Sequence, residues 1–299
     1  MTESAPRPSR RSLPPAGIAF LAVTTIGWGL NWPANKYLLS QLPPLTLRGG
    51  TGVVGAALLV CLAMLRGQSL RVPRQMWPRL VLAGLLNVTG WMVLMGLALV
   101  YLPASEAALI AYTMPVWAAA LAWPVLGERP TLMRGLALVM ALAGLSAIMG
   151  GNGMAGTMEK LPGILMALGG SIGFAVGTVL AKRWPLTMPP IPAAAWQIGI
   201  GCAPVALAGG LLETAHVSAV TPVGWVVLVY STVVQFCVAY VCWFAALSRL
   251  PASAAATGTM VVPVIGVAAS ALALHEPLGP GQIAALLLTL VAVALATRS

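Results

Sequence analysis

Two stretches of this chain carry the same uncommon residues in the same order, 148 positions apart. Leu102 to Glu128 begins Leu-Pro-Ala-Ser, continues as an apolar segment with Pro115 at its centre and closes on Gly127-Glu128. Leu250 to Glu276 begins with the same four residues, centres on Pro263 and closes on His275-Glu276. In a chain that is 59% hydrophobic, alanine and leucine matches are cheap, but prolines and glutamates in register are not. A second set of matches lies 146 positions apart: Ile26-Gly27-Trp28 and Lys36 face Ile172-Gly173-Phe174 and Lys182, and Pro43-Pro44 face Pro189-Pro190. The chain therefore reads as two copies of one unit.

That unit belongs in a bilayer. Apolar runs of about 20 residues, the length of one membrane crossing, recur along the whole sequence, and only 7% of residues are charged. A soluble fold needs a polar exterior that this composition does not supply, which excludes soluble enzymes. Spans are expected near 17–39, 45–65, 79–101, 104–125, 132–149, 162–181, 191–212, 225–247, 252–274 and 281–296. The fold class is thus an all-α integral membrane bundle of ten transmembrane helices. Residues 1–15 read as a disordered tail, 16–150 as the first five-helix repeat, 151–160 as a linker and 161–299 as the second repeat. Ser9-Arg10-Arg11-Ser12-Leu13 mimics a secretion signal, but with nine spans to follow it reads as the flank of an uncleaved first helix.

Five spans per unit make the second copy start from the opposite side, so the repeats are inverted, the arrangement of secondary transporters built around a midplane site. The net charge of +10 fits orientation rather than nucleic-acid binding. All of the 16 Lys and Arg except Lys36, Arg48 and Lys160 fall on the side of the N-terminus, which the positive-inside rule makes cytoplasmic, with both termini there. Lys36 and Arg48 are read as flanking the first outer turn.

Hydrogen-bonding side chains deep in a span are costly unless they face protein or a wet cavity. Trp28, Asn31 and Asn35 share one face of the first helix, joining an aromatic surface to two amides. Asn87 and Trp91 lie one turn apart on the third, and Asn87 pairs with Gln235 of the eighth across the repeat. With Tyr112, Tyr240 and Trp243 these nine form the substrate-binding set, the alternative for the amides being helix-helix glue. Pro115 and Pro263 remove a mid-span backbone hydrogen bond and free carbonyls toward the interior, as flexing points or as fixed shape. Glu128 and Glu276, at helix ends, are structural caps rather than proton relays. Gly27, Gly29, Gly173 and Gly177 are expected at close helix approaches. Trp77, Trp184 and Trp225 sit near span ends as interfacial aromatics. The four cysteines fall inside apolar runs without zinc-like spacing, the two histidines stand alone in loops, and no nucleotide-binding loop occurs. No metal, cofactor or nucleic acid is expected; the partners are a small-molecule substrate and membrane lipid.

The duplicated Leu-Pro-Ala-Ser, the paired Pro115 and Pro263, the paired Glu128 and Glu276, and Tyr240 with Trp243 shortly before Leu250-Pro251 resemble the drug/metabolite transporter superfamily, in its ten-helix branch of paired EamA domains. The resemblance implies export of small metabolites, amino acids including aromatic ones, from a bacterial inner membrane, with a single chain supplying both halves. An exporter of drugs or cationic compounds is the alternative within transport, and it would call for an acid in the site. An integral-membrane enzyme on lipid-linked substrates is the alternative from another class, and it would need clustered catalytic groups. With no acid placed at the midplane, facilitated diffusion or exchange is favoured over proton coupling.

Overall fold

The computed structural model describes residues 14–127, 131–150, 153–250, 255 and 258–298; Glu128 lies outside them. Among the described residues every regular element is helical. Ten segments cross the bundle: α1 (Pro15–Leu38), α2 (Pro44–Leu65), α3 (Arg74–Tyr101), α4 (Ala104–Leu126), α5 (Leu132–Gly150), α6 (Gly153–Arg183), α7 (Pro190–Leu212), α8 (Pro222–Leu247), α9 (Val261–Leu274) and α10 (Pro280–Arg298). Most ends fall within a few residues of the sequence-based expectation. One difference is α6, which is helical from Gly153, so most of the expected linker is its first two turns. Many helices open on proline, which has no N–H to leave unpaired at the first helical position and has its φ already set for a helix.

Close contacts at glycines fix the direction of each helix. Along α1, Gly17 meets Leu250, Leu21 meets Gly258 and Gly29 meets Ile265, so α9 runs parallel to α1. Along α6, Gly163 meets Tyr101, Gly170 meets Met95 and Gly177 meets Asn87, so α6 runs antiparallel to α3. Gly49 and Gly52 of α2 lie against Ala206 and Cys202 of α7, again antiparallel. The halves are therefore inverted. They are also interlocked: α1 packs on α8 and α9 of the second half, while α6 packs on α3 and α4 of the first. The remaining pairs, α2 with α7 and α5 with α10, bring each helix against its own counterpart. Large apolar side chains such as Leu65, Val226 and Leu272 stay exposed on the outside, as expected where the solvent is lipid.

The face where α1 ends, here the far face, is tied together by polar groups that cross between halves. A helix N-terminus leaves backbone N–H groups without partners inside the helix, and where other segments pack over it they are satisfied by protein. Glu276, in the turn after α9, accepts from Ala104 N at 2.6 Å, Ser105 N at 2.9 Å and Ser105 Oγ at 2.5 Å, capping α4. Glu213, after α7, treats α2 in the same way, accepting from Leu45 N at 3.0 Å and from Thr46 N and Oγ1 at 2.7 and 2.9 Å. Gln41 Oε1 accepts from Thr221 N and Oγ1 ahead of α8. Glu276 is thus a cap, as expected, but for a helix of the opposite half rather than for the one that follows it. Lys36 Nζ donates to Leu99 O at 2.5 Å and Leu102 O at 2.9 Å at the C-terminal end of α3, where a cation also offsets the helix dipole. Buried Glu106 accepts from Lys160 at 2.8 and 3.1 Å and from Gln282 at 3.3 Å.

Of the four glycines expected at close approaches, Gly27, Gly29 and Gly177 are there; Gly173 is not, because a Cβ at that position meets nothing within 4 Å. This separates two substitutions. Gly29→Val drives a side chain into Ile265, which a Cβ alone would meet at 2.5 Å, and overpacking of this kind costs about 1–3 kcal/mol. Gly173→Ala instead gains about 0.5–1 kcal/mol from reduced backbone freedom. Thermal unfolding in detergent should show Gly29→Val lowered and Gly173→Ala equal to or above the parent chain.

Candidate functional site

The interlocking of the halves leaves a cavity of about 730 Å³ along the centre of the bundle. It reaches from Asn35, Arg48 and Leu99 toward the far face to Leu186 and Met188 in the loop between α6 and α7 and Pro190 at the start of α7, on the near face. Its size is in the range of small-molecule sites, and its wall is mainly aromatic and aliphatic with a few polar groups.

All nine residues singled out from the sequence line this cavity: Trp28, Asn31, Asn35, Asn87, Trp91, Tyr112, Gln235, Tyr240 and Trp243, together with Pro115 and Pro263. The aromatic rings form two clusters. In one, Trp28 of α1 meets Tyr240 and Trp243 of α8, each at 5.7 Å between centroids, and Tyr240 meets Phe244 at 6.3 Å. In the other, Trp91 of α3 meets Phe174 of α6 at 5.2 Å and Trp32 of α1 at 6.5 Å. The two clusters use equivalent helix pairs, α1 with α8 and α6 with α3, and all of these rings line the one cavity.

The amides behave differently from helix glue. Asn87 and Gln235 make no side-chain hydrogen bond to any described residue, and neither does Asn31; Asn31 Oδ1 and Asn87 Oδ1 are buried without a partner. Only Asn35 is engaged, its Nδ2 donating to Asn31 O at 2.8 Å and its Oδ1 accepting from Arg48 Nη1 at 2.9 Å. Unpartnered polar groups in a bilayer protein are costly, and their gathering on one cavity is the observation that most marks it as a site.

The backbone explains how the amides reach it. Asn87 lies in a π-helical turn, Leu85–Thr89, and Gln235 lies in another, Val234–Val238. Each π turn widens the helix locally and shifts the side-chain register, a device common at functional sites. Thr89 Oγ1 donates to Gly201 O of α7 at 2.7 Å, and Thr24 of α1 donates to Ala239 O beside the second turn at 3.1 Å. The paired prolines accompany two further interruptions. α4 is interrupted at Tyr112-Thr113 just before Pro115, and α9 breaks at Met260 just before Pro263. Pro115 has no N–H for the Ala111 carbonyl, which accepts instead from Ser171 Oγ of α6 at 3.3 Å.

Arg48 corrects the sequence reading. It does not flank the outer turn: it lies just over one turn inside α2, is 4% exposed, and lines the cavity. Among the described residues Nη1 on Asn35 is its only hydrogen bond, Nε is buried without an acceptor, and it is the one charged residue on the wall. A sequence signal existed, since an arginine with no acid nearby follows the first turn of an otherwise apolar helix, but proximity to the turn concealed it. The wall also holds residues not expected beforehand, the aromatic ones being Trp32, Phe174, Phe236 and Phe244.

The sequence matches the EamA-like transporter family over residues 15–150 and again over 161–298. The chain belongs to that family. It is 32% identical to the uncharacterized transporter YvbV of Bacillus subtilis across 92% of this chain and 89% of that one. It is 30% identical to the aromatic amino acid exporter YddG of Ancylobacter novellus over 145 residues, 48% of this chain and 50% of that one. A solved crystal structure at 23% identity has the same fold, with a TM-score of 0.67 over 94% of this chain and 97% of its own. The family and the two named relatives are transporters, and the chain is a multi-pass membrane protein.

The Arg48–Asn35 pair is testable by itself. Asn35→Ala removes the only acceptor that the described residues offer a buried guanidinium, and losing a hydrogen bond to a charged group costs about 1.5–3 kcal/mol. Adding Arg48→Met should recover part of that loss, because an apolar replacement of both partners leaves no charge unpaired. Thermal unfolding of the two single variants and the double variant measures the coupling.

Proposed function

We propose that this protein is a secondary transporter that exports small metabolites, amino acids including aromatic ones, across a bacterial inner membrane by alternating access. The observation that carries this reading is the cavity between two inverted halves, walled by aromatic rings and furnished with amides that no helix uses. Flat rings suit an aromatic or apolar side chain, and Asn31, Asn87 and Gln235 suit the polar groups of an amino acid. The named activity of the YddG relative supports the same substrate class.

In this reading the near face is cytoplasmic, since the basic residues concentrate there, and both termini lie on that side. The far-face ties close the outer end, and the cavity fills from the cytoplasm. Export then requires those ties to part while the near face closes, with the helix breaks before Pro115 and Pro263 as flexing points. One chain contains both halves, so a monomer suffices. An exporter of cationic drugs fits less well, because the wall carries an arginine and, among the described residues, no acid.

Uptake of labelled amino acids into proteoliposomes, with and without an imposed pH gradient, tests the reading. Saturable uptake of a subset that includes aromatic members, reduced at least tenfold in Asn87→Ala/Gln235→Ala, is expected. Uptake of no amino acid by folded protein would contradict it.

A further inference from the structure

We infer that Arg48 is the docking group for a substrate carboxylate, and that the substrate class is an aromatic or large apolar carboxylic acid whose ammonium group is dispensable. The inference rests on the cavity being the substrate site and adds to it the chemistry of both ends.

Three observations support it. First, Arg48 is buried, yet a single one of its donors is used, and that by a neutral amide. A guanidinium stays charged at any working pH, so it cannot escape this position by losing its proton. Second, no carboxylate among the described residues answers it. Glu213 is held by Leu45 and Thr46, Glu276 by Ala104 and Ser105, and Glu106 by Lys160 and Gln282. Among the described residues Arg48 has no acidic partner. Third, the guanidinium lies toward the far-face end of the cavity, while Trp28, Tyr240 and Trp243 wall it from the side of α1 and α8.

A planar guanidinium presents paired donors that match the two oxygens of a carboxylate, and water-poor surroundings strengthen that pairing. Asn35, bonded to Nη1, sets the orientation of the fork and acts as a positioning residue. A ligand with a carboxylate at one end and a ring at the other satisfies both regions together. Nothing comparable awaits an ammonium: the described wall has no Asp or Glu, only neutral amide and hydroxyl oxygens. The cavity therefore demands the negative end of an amino acid and merely tolerates the positive one.

Four ligands of one shape decide the matter: phenylalanine, 3-phenylpropionate, phenethylamine and phenylalaninamide. Binding to the purified protein is followed by quenching of tryptophan fluorescence, since Trp28, Trp32, Trp91 and Trp243 line the cavity. Phenylalanine and 3-phenylpropionate should bind comparably, and the two ligands without a carboxylate at least tenfold more weakly. Arg48→Gln should erase that difference. Arg48→Lys, which keeps the charge but loses the fork, should bind both carboxylates at least threefold more weakly and still prefer them; it decides the question should Arg48→Gln not fold. Equal binding of the amine and the acids by the parent chain, a carboxylate preference that survives Arg48→Gln, unchanged carboxylate affinity in Arg48→Lys, or no binding of any of the four would overturn the inference. The transport reading fails separately. Arg48-dependent binding of 3-phenylpropionate without uptake of any amino acid would leave the carboxylate site standing and remove amino-acid export; phenylalanine uptake indifferent to Arg48→Gln would do the reverse.

Discussion

A helix N-terminus leaves backbone N–H groups that the helix itself does not pair, and where other segments pack over that end their partners come from the protein. In this chain the partners of three far-face helix starts come from the opposite half: Glu213 for α2, Glu276 for α4 and Gln41 for α8. One requirement thereby fixes two things. It completes the helices, and it fastens the halves along the face where α1 ends. The interlocking of α1 with α8 and α9, and of α6 with α3 and α4, then holds the rest of the bundle open as a central cavity.

Inside that cavity the logic reverses. The far face leaves few polar groups without a bond, whereas the cavity collects Asn31, Asn87, Gln235 and most of the Arg48 guanidinium with their hydrogen-bonding capacity unused. Polar groups at membrane depth are expensive to keep in that condition. Their concentration around a space of small-molecule size is what distinguishes a site from a packing defect, and it is the reason the proposed substrate carries both a polar end and a flat apolar body.

Much of this was legible in the sequence. The paired Pro115 and Pro263, with the in-register Glu128 and Glu276, disclosed the duplication, and five spans per copy required the inversion. The aromatic and amide residues were legible because such side chains are rare in spans and recur at equivalent positions. What the sequence hid was local backbone geometry and partner identity. The π turns that aim Asn87 and Gln235 leave no mark in residue periodicity, since one extra residue per turn is absorbed within a uniformly apolar run. Arg48 was misplaced because charge near a predicted span end normally means solvent. Gly173 was grouped with packing glycines by its repeat partner Gly27, yet only Gly27 meets a neighbouring helix. The capping role of Glu276 was visible, but not that its helix belongs to the other half.

In the proposed export cycle the cross-half caps hold the far face shut and part for transport. The most direct measurement is the distance between spin labels placed at Ser40 and Leu278, exposed far-face positions on opposite halves, in a background without the four native cysteines and in liposomes. Two distance populations are expected, a short one that dominates in the parent chain and a longer one that grows when Glu276→Ala removes the α4 cap. A single distance unchanged by Glu276→Ala would contradict that cycle.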